Sequence, residues 1–127
     1  MTTPQKVLAC GAFGALLAVV AGAFGTHALR AWMAPQMLAA FTTASTYQMY
    51  HSLALMMVSL LYGRGIAAYW LTGAAWCFAT GLVLFCGSLY ALTLLGQPAL
   101  GMITPFGGGL FMLGWVMLLI GALRSDD

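Results

Sequence analysis

Apolar and polar positions divide this chain into four long apolar runs with short polar breaks between them. The runs cover about Val7 to Gly25, Pro35 to Tyr62, Ile66 to Leu95 and Pro105 to Leu123. A helix needs about 20 residues to cross a hydrocarbon core about 30 Å thick, and each run is long enough. Lipid offers a backbone no hydrogen-bond partner, and four segments cannot close a barrel, so the predicted state of each run is helix. The sequence therefore predicts an all-α, integral membrane, antiparallel four-helix bundle in one domain, with spans at about 7–25, 35–62, 66–95 and 105–123.

The breaks carry turn chemistry. Pro35 and Pro105 suit a first helical turn, where a backbone N–H would go unused. Thr104 is placed to cap the fourth helix. Gly63-Arg64-Gly65 reads as a tight turn, and Gly96 as a C-terminal stop with Pro98 two residues on. Thr26 to Ala34 is expected as a short helix at the membrane surface. Lys6, the first apolar run and Ala21-Gly22-Ala23 resemble a secretion signal with an A-x-A site. A basic region of one lysine is weak for that role, so a retained first span is expected.

Within the runs, small residues recur at helical spacing. GAFG occurs at 11–14 and again at 22–25. Eleven residues turn a helix by about 1100°, within about 20° of the start, so both copies share a face. Gly14, Ala18 and Gly22 form a small-xxx-small seam of the kind that lets helix backbones approach in lipid. Gly107, Gly114 and Gly121 make a second seam, and Gly73, Cys77 and Gly81 a third. Each could pack inside the bundle or against another subunit.

Composition agrees with the pattern. Of 127 residues, 63% are hydrophobic and 5% charged, against roughly 25% charged in a soluble domain. The net charge of +2 is small and scattered, which argues against nucleic acid as a partner. Lys6, Arg64 and Arg124 would share one side of four spans and Arg30 the other. The positive-inside rule then puts both termini in the cytoplasm of a bacterial inner membrane. The only carboxylates, Asp126 and Asp127, follow the last span, on the side opposite Arg30. Arg30 is therefore expected to meet lipid phosphate, carbonyls, water or another protein. The three cysteines, Cys10, Cys77 and Cys86, lack zinc spacing and read as small apolar fillers; no metal or other cofactor is expected.

Polar chemistry inside the spans concentrates in the second. Gln36, Ala40, Ala44, Tyr47, Gln48 and His51 fall within about 60° of one line on a helical wheel, a stripe expected to face the interior. His51 lies about 16 Å from Tyr62, near mid-membrane, where an ionisable residue suggests function. The alternative is a neutral histidine satisfied by Tyr47 or Thr80. Rise counting puts Arg30, Ser88, Tyr90 and Thr104 together near the outer surface, and His27 and Arg30, just after the first span, also read as interfacial anchors. Trp76 and Trp115 lie deeper and are expected to pack. His27 and His51 differ by about 15 Å in height, which argues against both ligating one haem.

At GAFGTHALR, YQMYHSLAL, GLVLFCGSLYAL and LGMITPFGGGLFMLGW the chain resembles the YgdD-like small membrane proteins, a domain of unknown function found from bacteria to animals. The resemblance covers nearly the whole chain and implies a four-span membrane protein. The family's recurring polar positions correspond here to His27, Arg30, Tyr47, Gln48, His51, Ser88, Tyr90, Thr104 and Pro105. Thr26 and Cys86 stand where the resemblance leads one to expect Ala and Ser. No activity comes with it. An enzyme is not expected, since paired carboxylates and a histidine with an acidic orienter are both missing from the sequence. The leading expectation is a non-catalytic membrane protein that surrounds itself with membrane lipids and assembles as a homo-oligomer or within a larger membrane complex. The alternative is binding or passage of a small lipid-like or apolar ligand in the interior near His51.

Overall fold

The computed structural model describes residues 1–125; Asp126 and Asp127 lie outside them. Four long helices account for most of the chain. Helix α1 covers Thr3–Leu29 and includes one wide, π-type turn at Val20–Gly25. Helix α2 covers Pro35–Leu61. Helix α3 covers Ala68–Leu95, with a second π-type turn at Leu82–Cys86. A 3-10 turn at Pro98–Met102 leads into α4, Thr104–Leu123.

The punctuation explains most of these limits. Thr2 and Gln5 close a capping box at the start of α1, which satisfies two of the free N–H groups of the first turn. Pro35 opens α2. Gly63 and Gly65 take positive φ (77° and 89°) in the turn before α3, and Gly96 takes φ 64° at its end, where a side chain would be strained. Two expectations fail here. Thr26 to Ala34 is not a separate surface helix: Thr26–Leu29 continues α1 beyond the wide turn, and the Thr26 hydroxyl donates to the Ala21 carbonyl within that turn (3.4 Å). Nor does Thr104 cap α4. It is the first helical residue, and its hydroxyl instead meets that of Ser88 on α3.

Three stretches, Thr3–Leu29, Ala68–Leu95 and Pro98–Leu123, are long and apolar enough to cross a membrane. Helix α2 is not among them, because its first half is rich in hydroxyls. Four hydroxyls along α2 bond to the helix itself. Thr42 donates to the Leu38 carbonyl, Thr43 to Ala39, Ser45 to Thr42 and Ser59 to Met56. Bonding back to the preceding turn removes their need for water.

Helix α2 is also the centre of the packing. On one side it receives α1: Gly11 lies against Ser52 and Met56, Gly14 against Ser52, Gly22 against Ser45, and Gly25 against Phe41. Both GAFG copies thus face the same partner, and the register of the two helices runs in opposite directions. On another side, Tyr62 meets Thr72, Tyr47 meets Phe85 and Phe41 meets Tyr90, so α2 and α3 also run oppositely. Helices α3 and α4 interlock reciprocally. Phe85, Phe78 and Trp70 lie over Gly107, Gly114 and Gly121, while Phe111 and Met117 lie over Gly81 and Gly73. The core forms where these helices meet, around Ala44, Leu55, Val58, Leu71, Ala74 and Phe78, all 0–1% exposed. A smaller cluster of Leu29, Met33 and Phe41 closes the far end.

The glycine notches set a clear expectation. A Cβ on Gly107 would sit 2.7 Å from the Phe85 Cα, whereas one on Gly109 would meet nothing within 4 Å. Gly107→Ala should destabilise the chain by about 1–3 kcal/mol through overpacking against backbone. Gly109→Ala should be neutral or slightly stabilising, through higher helix propensity. Thermal unfolding in a mild detergent separates the two.

Candidate functional site

The second half of α2's polar stretch supplies the site, because two residues there reach neighbouring helices. Gln48 is 8% exposed. Its side-chain amide donates to the Gly14 carbonyl of α1 (2.9 Å), and its carbonyl accepts from the Tyr90 hydroxyl of α3 (2.6 Å). One side chain therefore ties three helices. A Cβ at Gly14 would run into Ser52, so glycine there lets α1 approach α2 closely enough for this bond. Tyr90 is held in place by an edge-on contact of its ring with Phe41 (centroids 5.1 Å).

His51 is 5% exposed and sits one turn further along α2, facing α4. Its Nε2 accepts from the Trp115 indole N–H (3.1 Å). The Tyr47 carbonyl lies 2.8 Å from Nδ1 and can only accept, so Nδ1 carries the proton. The two bonds together specify one neutral tautomer. Phe111 stacks on the ring at a centroid separation of 3.5 Å and 7° between planes, and Phe78 packs 5.7 Å away. Both nitrogens and one ring face are thus occupied by the protein. Protonation would set two N–H donors against each other at Trp115. This arrangement holds helices together; it does not present an exposed acid or base.

The other sequence candidates divide into those joined to this centre and those apart from it. Ser88 binds Thr104 and also donates to the Phe85 carbonyl (2.9 Å), which links α3 to the start of α4. Tyr90 points inward to Gln48 and does not join an outer polar cluster. His27 and Arg30 are exposed at the end of α1, and among the described residues neither side chain hydrogen-bonds Ser88, Tyr90 or Thr104, whose partners lie elsewhere. The interior stripe holds only in part: Ala44, Gln48 and His51 are buried, but Gln36 and Tyr47 are exposed, Tyr47 at 41%. Tyr47 serves His51 through its backbone carbonyl, not its phenol. Thr80 is exposed and does not meet His51. Trp76, 70% exposed, does not pack inside. Gly14 and Ala18 line the α1–α2 contact, and Gly107, Gly114 and Gly121 are buried under α3.

Sequence reasoning missed Phe111 and Trp115 as partners of His51. Its available signal was indirect: a mid-span histidine needs a donor or acceptor on another helix, and a deep indole N–H needs an acceptor.

Two outcomes test this geometry. A double-mutant cycle on Gln48→Leu and Tyr90→Phe, read by unfolding in detergent, should return a coupling of about 0.6 kcal/mol and at most roughly 1.7. In 15N NMR spectra of the wild type at neutral pH, His51 should show a protonated Nδ1 and an unprotonated Nε2, and Trp115→Phe should perturb the Nε2 signal.

Comparison with known proteins finds relatives described as membrane proteins. A family model described as "Protein of unknown function (DUF423)" matches residues 21–108. A UPF0382 membrane protein of Staphylococcus aureus is 43% identical over 115 residues, which is 90% of this chain and 92% of the relative. UPF0382 membrane protein YwdK of Bacillus subtilis is 40% identical over 114 residues, 90% of this chain and 93% of the relative. A Staphylococcus saprophyticus relative of the same description is 42% identical over 115 residues, 90% and 93% of the two chains. No solved structure matches. With the family model spanning most of its length and bacterial relatives matched almost end to end, the chain belongs to the DUF423, or UPF0382, family of membrane proteins of unknown function.

Proposed function

We propose that this is a non-catalytic integral membrane protein of the YgdD-like kind, an antiparallel four-helix bundle in the bacterial inner (plasma) membrane, which acts by assembling with a second copy or within a larger membrane complex. The observation that carries the reading is the position of α1. It packs along α2 and has no comparable interface with α3 or α4. The rest of its circumference, including Phe13, Leu16, Val20 and Phe24, is exposed. The other long apolar helices bury more of themselves inside the chain. A helix with one partner has open faces for another helix to approach.

Other features support the membrane placement. Lys6, Arg64 and Arg124 lie at the end where α1 and α3 begin and α2 and α4 finish, and Arg30 lies at the opposite end. Three cations against one favour that first end, and so both termini, on the cytoplasmic side. Helix α2 crosses as part of the bundle, with the hydroxyls of Thr42, Thr43, Ser45 and Ser59 bonded to its own backbone. The non-catalytic reading is supported by His51, whose two ring nitrogens are committed to structural bonds.

The small-residue seams no longer argue for a partner, since Gly14, Ala18, Gly107, Gly114 and Gly121 are used within the chain. The alternative, a small lipid-like or apolar ligand in the interior near His51, is less favoured, because Phe111 and Phe78 pack closely on that ring. Two recesses lie between α1 and α3, and Gln48 lines one of them.

Cross-linking in native membranes followed by mild detergent extraction tests assembly. The wild type should yield a defined species larger than the single chain, and Leu16→Trp on the open side of α1 should reduce its yield several-fold. A monomer in native membranes, with no cross-linked partner, would sink the proposal.

A further inference from the structure

Between α1 and α3 runs an apolar groove floored by α2. Its wider section, about 450 Å³, is lined by Thr3, Lys6, Cys10, Leu55, Trp76 and Ala79, among others. A narrower section of about 260 Å³ shares Cys10 and Ala79 and continues to Leu17, Val83 and Gln48. Both volumes are of the order of small-ligand sites or somewhat below, which run from roughly 300 to 1,000 Å³. The groove exists because α1 leans on α2 alone, and because small residues stand where the walls would otherwise meet: Cys10 and Gly14 on one side, Ala75 and Ala79 on the other.

The chemistry along the groove is graded. From Thr3 to Leu17 it extends about 21 Å at 1.5 Å per residue, against about 15 Å for half of a hydrocarbon core. Polar groups gather at the mouth: the Lys6 ammonium, the Thr3 hydroxyl and the hydrogen-bonded pair of Tyr62 and Thr72 (2.9 Å). Below them the lining is almost wholly apolar until Gln48, whose amide is already engaged by Gly14 and Tyr90. Water is a poor occupant of such a lining, and an unfilled crevice forfeits dispersion contacts. A hydrocarbon chain with a negative head fits both parts.

We propose that this groove holds one acyl chain of an anionic phospholipid, with Lys6 at its phosphate. The site rests on the membrane orientation given above but not on assembly. Thr3, Lys6 and Tyr62 lie at the end read as cytoplasmic, where anionic lipids attract basic residues. The apolar groove gives retention, and the lysine gives headgroup preference.

Native mass spectrometry of the full chain, exchanged in detergent with phosphatidylglycerol or phosphatidylethanolamine, tests the site. The wild type should keep one phosphatidylglycerol through detergent removal and lose phosphatidylethanolamine. Lys6→Gln, an exposed change that spares the helix packing, should cut that preference about fivefold. Ala79→Phe should fill the groove and abolish retention while circular dichroism shows unchanged helicity. Equal retention of the two lipids by the wild type would overturn the proposal, as would an unchanged preference in Lys6→Gln. A lipid-free wild-type dimer cross-linked through Cys10 would also overturn it, by making a second copy the occupant, and would at the same time support assembly. A monomer that keeps its phosphatidylglycerol would refute assembly and leave the lipid site standing.

Discussion

Close approach of helix backbones, possible only where glycine removes the Cβ, carries the tertiary structure. Apolar side chains gain little by leaving lipid for one another, so packing has to come from shape and from a few interhelical hydrogen bonds. Phe85, Phe78 and Trp70 settle into the hollows over Gly107, Gly114 and Gly121, and Phe111 and Met117 return the fit over Gly81 and Gly73. The same device on α1 brings the Gly14 carbonyl within reach of Gln48. On α1 a close contact is thus accompanied by a polar one.

The buried polar groups follow from that geometry. Gln48 joins α1, α2 and α3, and His51 joins α2 to α4 through Trp115. Together they make α2 the hub of the molecule, although it is the least apolar of the four helices. Much of its polarity is consumed in two ways: four hydroxyls bond to the preceding turn, and the amide and imidazole bond to other helices, whereas the buried Ser52 hydroxyl has no partner among the described residues. A mid-span histidine invites a chemical role, but here its surroundings hold it in one neutral form and shield it.

The asymmetry of the packing has functional weight. Helices α2, α3 and α4 share the aromatic core, while α1 is attached along one face. That leaves a lateral groove toward the bilayer and an open helix surface beside it. The groove and the open surface of α1 adjoin and share Phe13, so the proposed lipid and the proposed protein partner would be neighbours on the helix.

Much of the architecture was legible in the chain. Long apolar runs admit only helix in lipid, and prolines and glycines mark the breaks because their backbones fit first turns and left-handed stops. The shared face of the two GAFG copies follows from helical periodicity alone. Periodicity does not say which neighbour a face meets, and so it could not assign the seams to partners within the chain. It also could not reveal that Tyr47 would serve His51 through its carbonyl, that Thr104 would turn to Ser88, or that Thr26 would extend α1 past a wide turn. Those outcomes depend on which helices lie side by side and at what register. Local sequence decided that there would be helices and where they would end. Only the tertiary structure decided which polar groups met, because a hydrogen bond between helices requires a distance and an angle that the linear order of residues does not contain.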